Sequence, residues 1–320
     1  MALHAWSSAR YVIPLPPGHR FPIEKYARLR DRVIAEGLVP AERVHEPAPA
    51  PTDALLLVHT PRYVASIEQG TIGADEQRRI GFPWSRALVE RSVRAVGGTC
   101  EAAAAALRDG VAVNLAGGTH HAFPDHGEGF CVFNDVAVAI RLLKRDGRIE
   151  RAAVIDLDVH QGNGTHAIFA GDPSVFTFSM HGGRNYPFRL ADPSEGGDAS
   201  HRGGATFGYR VPGNVDIDLP DGTGDAEFLR RLAATLPAVL AAASPDLVIY
   251  LAGADPHEGD RLGRMRLTFD GLERRDAMVI EACREIGVPV AITIAGGYGV
   301  EIDDTVQVHV NTVRVAAGFA

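Results

Sequence analysis

Short apolar runs alternate along the chain with longer amphipathic or alanine-rich stretches. Continuous apolar runs bounded by turn residues predict buried strands, and apolar positions with a period near 3.6 predict helices. This alternation predicts an α/β fold in which helices cover both faces of a central, mostly parallel sheet. The predicted strands are 111–116, 152–159, 175–180, 246–254 and 288–295, and the predicted helices are 22–36, 59–69, 85–109, 134–146, 225–243, 270–286 and 303–316.

Several of the predicted helices have start or stop signals. Asn134 is a candidate N-cap, and glycines stand just after the last turn of four helices. We find no internal repeat and no linker, so residues 1–320 are expected to form a single domain. A glycine-rich stretch from 181 to 225 lacks clear periodicity, and a loop this long is either a binding loop or a flexible one. The four helix-stop glycines are Gly37, Gly110, Gly147 and Gly287.

Composition narrows the classes of protein and partner. The chain is 46% hydrophobic and 22% charged, which is typical of a globular protein. Its net charge of −8 argues against nucleic-acid binding, although it would tolerate a cationic substrate. Three widely spaced cysteines without a CxxC pair argue against a disulfide framework. With no signal-peptide pattern and no apolar run of membrane-spanning length, we expect a cytoplasmic protein without a membrane partner.

Unusual polar residues follow every predicted strand. Ligands of open α/β sheets bind outside the carboxyl ends of the strands, so five such ends predict one shared site. Ordinary turns would explain the glycines but not the acids and paired histidines. The five segments are GGTHHAF (117–123), DLDVHQGNG (156–164), SMHGG (179–183), GADPHEGDRLG (253–263) and GGYG (296–299).

The segment VIDLDVHQGNG suggests a metal site. Asp156, Asp158 and His160 occupy every second position, which predicts that they share one face of a strand. Unpaired charges in a sheet interior are costly, so they require partner charges or a metal. Asp158 and His160, joined by Asp255 from the end of another strand, make a three-ligand site with an open position for water. One imidazole and two carboxylates suit Zn²⁺ or Fe²⁺ better than Mn²⁺.

Three further side chains suggest acid–base chemistry beside that metal. The adjacent His120 and His121 offer a general base and an electrostatic partner. Asp156 is not needed as a ligand and could hold one of the two histidines. Tyr298, between glycines, is placed to donate a hydrogen bond to a developing oxyanion.

Six ordered motifs resemble the histone deacetylase and acetylpolyamine amidohydrolase superfamily. The resemblance extends over about residues 8 to 316. It implies an arginase-like α/β fold and a zinc-dependent amidohydrolase that removes an acyl group from an amine such as acyl-lysine. HRFPIEKY (19–26) and EGDRLGRM (258–265) are most similar to the class IV branch and its bacterial relatives. The six motifs are GGTHHA, GFCVFND, DLDVHQGNGT, SMH, GADPHEGDRLG and AGGYG.

The resemblance also implies a role for each site residue. His121 is expected to be the general base, with His120 as its electrostatic partner held by Asp156. Tyr298 is expected to polarise the acyl oxygen. Zinc would be bound by Asp158, His160 and Asp255, and a monovalent cation, normally potassium, by Asp156 and Ser179 with the backbone of Asp158 and His160.

One wall of the substrate channel is left open by the sequence, and the partner of the second histidine differs from the family pattern. Gly129, Phe130 and Gly296 are expected to line the acyl-lysine channel, with Tyr186 or Phe188 on the opposite wall. His257 is a possible residue of the rim. Class I enzymes carry an aspartate at the position of Asn163, where it pairs with the second histidine. A neutral partner predicts a lower pKa for His121.

Two other functions and several substrates remain open at this point. A manganese ureohydrolase of the same fold would need a second metal, but His257 stands where an additional aspartate ligand is expected. A protein that only reads acylated lysines would keep the zinc pocket without hydrolysis. Acetyl-lysine proteins, long-chain acyl-lysines, acetylpolyamines and other small amides all fit a narrow channel that ends in zinc. The sequence does not indicate the oligomeric state.

Overall fold

The architecture comes from a computed structural model that describes residues 3–188 and 208–320. Its eight described strands form one sheet, with the order β2-β1-β3-β8-β7-β4-β5-β6. Every neighbouring pair is parallel. The strands are β1 (His4–Trp6), β2 (Val44–His45), β3 (Val111–Asn114), β4 (Ala152–Asp156), β5 (Val175–Gly182), β6 (Val215–Leu219), β7 (Leu247–Ala252) and β8 (Val290–Ile294).

Ten α-helices are found in the described part of the chain. They are α1 (Lys25–Ala35), α2 (Thr52–Leu55), α3 (Pro61–Gln69), α4 (Ala74–Ile80), α5 (Arg86–Asp109), α6 (Asp135–Arg145), α7 (Asn163–Phe169), α8 (Asp225–Ala243), α9 (Phe269–Glu285) and α10 (Ile302–Gly318). No helix among these described segments is both long enough and apolar enough to cross a membrane.

The predicted α/β fold is confirmed, and the predicted elements form its centre. The five predicted strands and seven predicted helices are all present, with small changes at their ends. Strands β1, β2 and β6 were not predicted, and of these β2 and β6 form the two edges of the sheet. Strands β1 and β2 are only three and two residues long. In β6, half-buried and exposed positions alternate up to the buried last residue, as expected for an edge strand with one solvated face.

Helix boundaries follow the local signals that the sequence carries. The side chain of Asn134 accepts a hydrogen bond of 3.0 Å from the backbone amide of Ala137, so it caps α6 as predicted. Gly110 ends α5 with φ +90°, a conformation that disfavours other residues. The glycine-rich stretch 181–225 contains strand β6, and its residues 189–207 lie outside the described residues.

The predicted strand 152–159 is wrong at its carboxyl end. Strand β4 stops at Asp156, so Asp158 and His160 do not share a strand face with it. The carboxylates themselves turn the chain. Asp156 accepts a hydrogen bond from the amide of Asp158 at 3.1 Å, and Asp158 accepts one from the amide of His160 at 2.9 Å. Such bonds from a side chain to the backbone two residues on favour a turn over a sheet ladder.

Candidate active site

The site residues follow four strands that are adjacent in the middle of the sheet. In spatial order these strands are β3, β8, β7 and β4, and each is completely buried. Parallel strands bring their carboxyl ends to one edge, so the loops after them meet there. In the same order, these loops carry His120 and His121, then Tyr298, then Asp255, and finally Asp158 and His160.

The predicted metal ligands form a buried cluster. The Nδ1 atom of His160 lies 2.9 Å from Oδ1 of Asp158 and 3.2 Å from Oδ2 of Asp255. One ligand atom from each of the three residues lies within 4.8 Å of the others. Oδ2 of Asp255 is buried, and no hydrogen bond to it is found among the described residues. Three converging donor atoms of these types fit a divalent metal ion.

The electrostatics of this cluster indicate that it requires a positive charge. Burial by itself lowers the pKa of His160, but Asp158 and Asp255 raise it to about 10. Burial and the charge of Asp158 raise the pKa of Asp255 to about 7. Two carboxylates this close cannot both stay ionised without a cation or a proton between them. A metal ion would take the place of that proton.

Backbone amides and a glycine hold the carboxylates in place. Oδ2 of Asp158 accepts a hydrogen bond of 2.8 Å from the amide of Gly296, and Oδ1 of Asp255 accepts one of 2.9 Å from the amide of Val159. A Cβ atom at Gly296 would lie only 1.8 Å from Oδ2 of Asp255. Gly296 therefore lies directly against the carboxylate of Asp255, and a larger residue there would displace that carboxylate.

A buried arginine, which the sequence analysis did not single out, connects the two ligand loops. The guanidinium of Arg275 donates hydrogen bonds to the carbonyls of Leu157 at 3.2 Å and Gly253 at 2.7 Å. These carbonyls stand just before the ligands Asp158 and Asp255. Arg275 is completely buried and forms an ion pair of 2.8 Å with Asp276. The helical period of α9 places Arg275 in phase with Leu272 and Val279 on the buried face, but its partner carbonyls become visible only in the fold.

The two adjacent histidines have different partners. Nδ1 of His120 lies 2.6 Å from Oδ2 of Asp156, and Nδ1 of His121 lies 2.7 Å from Oδ1 of Asn163. Their ring centroids are 4.1 Å apart. Asp156 and Asn163 are thus in contact with the histidines that the sequence analysis assigned to them.

The pKa values of the two histidines move in opposite directions. Burial by itself lowers the pKa of His120, but Asp156 and Asp158 raise it to about 9. Burial and the neighbouring charges of His120 and His160 lower the pKa of His121 well below its usual range. Burial is the largest cause, and the hydrogen bond with Asn163 by itself raises the pKa of His121. A lowering of this pKa by the neutral partner therefore stays a prediction.

A buried glutamate that the sequence analysis missed supports Asn163. The Nδ2 atom of Asn163 donates hydrogen bonds to Oε1 of Glu128 at 2.7 Å and to the carbonyl of Tyr209 at 2.9 Å. Glu128 has no exposed surface. Its position next to GFCVFND was visible in the sequence, but its contact with Asn163 spans 35 residues.

Tyr298 and the predicted channel residues line one narrow cavity with the histidines. The cavity is bounded by Gly129, Phe130, Tyr298 and Gly296, and its base includes Asp158 and His160. The rings of Phe130 and Tyr298 are 5.7 Å apart. Burial and the nearby Asp255 and Asp158 raise the pKa of Tyr298 well above its usual range. Tyr298 therefore keeps its proton and can act as a hydrogen-bond donor.

Of the two candidates for the opposite wall, only Tyr186 contacts a histidine of the site, and neither is among the residues that line the cavity. Tyr186 packs edge-on against His121, with 4.9 Å between the ring centroids. Phe188 is 70% exposed and contacts Tyr186 rather than the histidines. His257 lines a different hollow, with Arg264 and Phe269.

The residues predicted to hold potassium lie side by side. Asp156 and Ser179 are direct neighbours in the register of β4 and β5. The hydroxyl of Ser179 lies 2.9 Å from Nδ1 of His181. A monovalent-cation role for this pair stays a prediction.

The fold and the site define an α/β protein with a candidate metal centre, paired histidines and a buried tyrosine at the carboxyl edge of its sheet. Residues 19–313 match the histone deacetylase domain, so the chain belongs to the histone deacetylase family and the predicted resemblance is confirmed. Membership makes it a hydrolase that acts on amide bonds, as predicted. Its closeness to the class IV branch stays a prediction.

Individual relatives agree with this assignment. The chain is 32% identical to histone deacetylase 2 of Arabidopsis thaliana, over 88% of this chain and 70% of that protein. It is 31% identical to a histone deacetylase-like amidohydrolase of Pseudomonas aeruginosa, over 89% of this chain and 74% of that protein. The crystal structure of a histone deacetylase homologue from Aquifex aeolicus superposes with a TM-score of 0.81 at 26% identity, covering 99% of this chain and 84% of the homologue.

Proposed function

We propose that the protein is a zinc-dependent deacylase that removes an acetyl or longer acyl group from an amine such as acyl-lysine. One observation carries the proposal. Beside a three-ligand cluster, two touching histidines have pKa values shifted in opposite directions, and both face the same cavity as a protonated tyrosine. Groups whose environments separate their pKa values in this way are typical acid–base pairs of hydrolytic sites.

The ligand cluster supports zinc as the metal. Asp158, His160 and Asp255 would hold the ion, and a bound divalent ion supplies Lewis-acid polarisation of the acyl carbonyl and a lower pKa for a nearby water. A cluster of one imidazole and two carboxylates leaves a coordination position open, as catalytic zinc sites do. Fe²⁺ accepts the same donor set and is the alternative metal.

His121 would act as the general base. With Nδ1 turned to Asn163, its Nε2 atom is available to take a proton from the attacking water. The hydroxide adds to the carbonyl carbon, and His121 then returns the proton to the nitrogen of the leaving amine as the C–N bond breaks. The carboxylic acid gives its proton to the departing amine, so the products are a carboxylate and an ammonium group.

His120 and Tyr298 would stabilise the developing negative charge rather than act as the base. His120, held by Asp156, stays protonated and adds a positive charge next to the reacting carbonyl. The Tyr298 hydroxyl would donate a hydrogen bond to the acyl oxygen as negative charge develops on it. A monovalent cation at Asp156 and Ser179, bound also by the backbone carbonyls of Asp158 and His160, would support the same loop.

The cavity walls support a slender, largely apolar substrate. Phe21, Phe82 and Phe130 form an aromatic cluster with ring centroids 4.8 to 5.4 Å apart. Together with Tyr298, these rings suit the methylene chain of an acylated lysine. We therefore place acyl-lysine first among the substrates, ahead of acetylpolyamines and other small amides.

A substrate and metal panel tests this proposal. Metal-free enzyme would be loaded with Zn²⁺, Fe²⁺ or Mn²⁺ and assayed on acetyl-, butyryl- and myristoyl-lysine peptides and on acetylputrescine, with metal content measured per chain. We expect one metal per chain and, with Zn²⁺, release of the acyl group as a carboxylate, which leaves a deacylated lysine in the peptide. An Asp255→Asn variant serves as a control with an altered ligand set and should bind less metal. Binding of acyl-lysine without hydrolysis under any metal, or two manganese ions per chain with ureohydrolase activity, would overturn the proposal.

A further inference from the structure

Glu128 is a buried carboxylate that the proposed reaction does not use directly. It has no exposed surface and lies next to the channel residues Gly129 and Phe130. Its Oε1 atom accepts a hydrogen bond from Nδ2 of Asn163 at 2.7 Å, and its Oε2 atom accepts one from the amide of Gly208 at 3.2 Å. Burying a carboxylate is costly unless it is paired and hydrogen-bonded, so these contacts are what allows Glu128 to be buried here.

The hydrogen bonds of Asn163 determine which way its side-chain amide points. Its Nδ2 atom faces two acceptors, Oε1 of Glu128 and the carbonyl of Tyr209 at 2.9 Å. If the amide were reversed, its oxygen would face both acceptors and lose both bonds. An amide group has donors on one end and only acceptors on the other, so this arrangement permits one orientation. Oδ1 of Asn163 must therefore face His121.

The orientation of Asn163 in turn determines the tautomer of His121. Oδ1 can only accept a hydrogen bond, and it lies 2.7 Å from Nδ1 of His121. Nδ1 must therefore carry the ring proton, and Nε2 carries the free lone pair. Without Glu128, only the carbonyl of Tyr209 would hold the amide in this orientation, so reversing it would cost one hydrogen bond instead of two.

We propose that Glu128 is a positioning residue which, through Asn163, locks His121 in the tautomer with the proton on Nδ1. The significance of this lock for catalysis rests on the proposed function, because only a base at Nε2 needs it. The tautomer itself is a property of the protein without metal or substrate. An aspartate at position 163 would contact His121 directly. Here the carboxylate of Glu128 lies one residue further from the histidine, in a Glu128–Asn163–His121 chain.

A purely structural role for Glu128 is the competing explanation. Its bond to Gly208 could simply hold the loop that returns from residues outside the described part of the chain. Tyr186 also interacts with the carboxylate, and Nε2 of His126 lies 4.0 Å from it. A structural role predicts lower stability on substitution but an unchanged tautomer of His121.

The direct test is nitrogen NMR of the histidines in metal-free protein. With ¹⁵N-labelled histidine, long-range couplings distinguish the two neutral tautomers, and a His121→Gln variant identifies the His121 signals by their loss. We expect the wild-type protein to show the tautomer with the proton on Nδ1 and Glu128→Gln to show a mixture with the other tautomer. In zinc-loaded enzyme, Glu128→Gln should lower kcat about tenfold to a hundredfold with little change in KM. Glu281→Gln, on the exposed face of α9, is the matched control and should change neither quantity.

A double variant separates positioning from stability. Asn163→Asp alone places two carboxylates at the 2.7 Å contact and should lower the melting temperature. Asn163→Asp combined with Glu128→Gln restores one negative charge and one amide with their positions exchanged. Aspartate only accepts, so the double variant should recover the tautomer with the proton on Nδ1 and a kcat above that of Glu128→Gln.

Three results would overturn the proposal. These are an unchanged tautomer in Glu128→Gln, no loss of kcat in that variant while wild type is active, and a double variant no better than Glu128→Gln. If wild type hydrolyses none of the amides, the proposed function fails. The NMR result still decides whether Glu128 sets the tautomer.

Discussion

His120 and His121 are chain neighbours in the same loop, almost equally buried, yet their surroundings act on them in opposite ways. Burial lowers the pKa of both rings. At His120 the carboxylate of Asp156 overcomes that effect, whereas Asn163 brings no charge to His121. Nearby carboxylates, Asp156 first and Asp158 second, therefore raise the pKa of His120, whereas His121 has burial and neighbouring positive charges against its protonation. Burial alone would have left both neutral.

This difference suggests a division of labour between the two rings. A histidine that is protonated at neutral pH cannot act as a base, and one that is neutral cannot supply a fixed charge. The arrangement provides one of each within a centroid distance of 4.1 Å. Substitutions that remove one of the two rings, or that give both rings a neutral partner, test this division.

Removing the neutral ring should cost most. His121→Ala deletes the only proposed base, and general-base catalysis contributes about 10² to 10⁴-fold. We expect a loss of kcat near the upper end of that range, with zinc content unchanged, measured on an acyl-lysine peptide. His120→Ala is the comparison and should lose less, because it removes a charge and leaves the base in place. Equal losses in the two variants would contradict the division.

Removing the phenol that shares the cavity should have the next largest effect. Tyr298→Phe deletes a hydrogen-bond donor to the developing oxyanion, and such donors contribute about 10² to 10³-fold to kcat. The ring itself remains, so contacts with Phe130 and the KM for substrate should change little. Steady-state kinetics and a metal measurement check this. Full activity would show that the charge on His120 suffices without the phenol.

Equalising the two partners should have a smaller effect and a recognisable pH dependence. Asp156→Asn gives both histidines a neutral partner, and loss of such a supporting carboxylate costs about tenfold to a hundredfold in activity. In the metal-free protein, the folded-state pKa of His120 is raised to about 9, above the value of about 6.5 for an unfolded chain. Stabilisation from this pair is therefore fully present below about pH 6.5 and is lost as the pH rises through about 9.

Melting temperatures of metal-free protein at pH 6, 8 and 10 test that pH dependence. Wild type should exceed Asp156→Asn by the largest margin at pH 6, and the margin should shrink toward pH 10. Asp270→Asn, at an exposed position on α9, provides a control for the loss of one surface charge. A margin that grows with pH would mean that His120 is neutral in the folded protein.

These contrasts also show how far sequence reasoning reaches. The central strands were predictable because buried parallel strands are continuous apolar runs, as in β7. The short strands β1 and β2 were not, because two or three residues carry too little pattern. The metal ligands were recognisable as a motif, but their proposed place on a strand was wrong. Local bonds from Asp156 and Asp158 to the backbone end β4 early.

The missed residues share a physical reason. Glu128 accepts a hydrogen bond from Asn163, which is 35 residues away in sequence. Arg275 donates one to the carbonyl of Leu157, which is more than 100 residues away. Glu128 lies in a loop and Arg275 lies on the buried face of α9, but only tertiary structure reveals the partners of either residue. Asn163 was visible as a departure from the family pattern. What compensates for its neutral charge was not visible.

Tyr186 provides the smallest and most selective perturbation of the His121 surroundings. Its ring packs edge-on against His121 and its phenol interacts with Glu128, which is itself two contacts from the imidazole. Tyr186→Phe keeps the ring contact and removes only the interaction with Glu128. One hydrogen bond contributes about 0.5 to 1.5 kcal/mol, so kcat should fall by about twofold to tenfold at most.

Comparison with Tyr186→Leu separates the two contacts of Tyr186. The leucine variant loses the aromatic contact as well and should have the lower kcat, measured on the same acyl-lysine peptide with zinc content checked. If Tyr186→Phe lost as much activity as Asp156→Asn, the phenol would be acting on the substrate directly. The environment of His121 would then extend into the channel, whereas that of His120 ends at Asp156. The two histidines would differ in access to substrate as well as in charge.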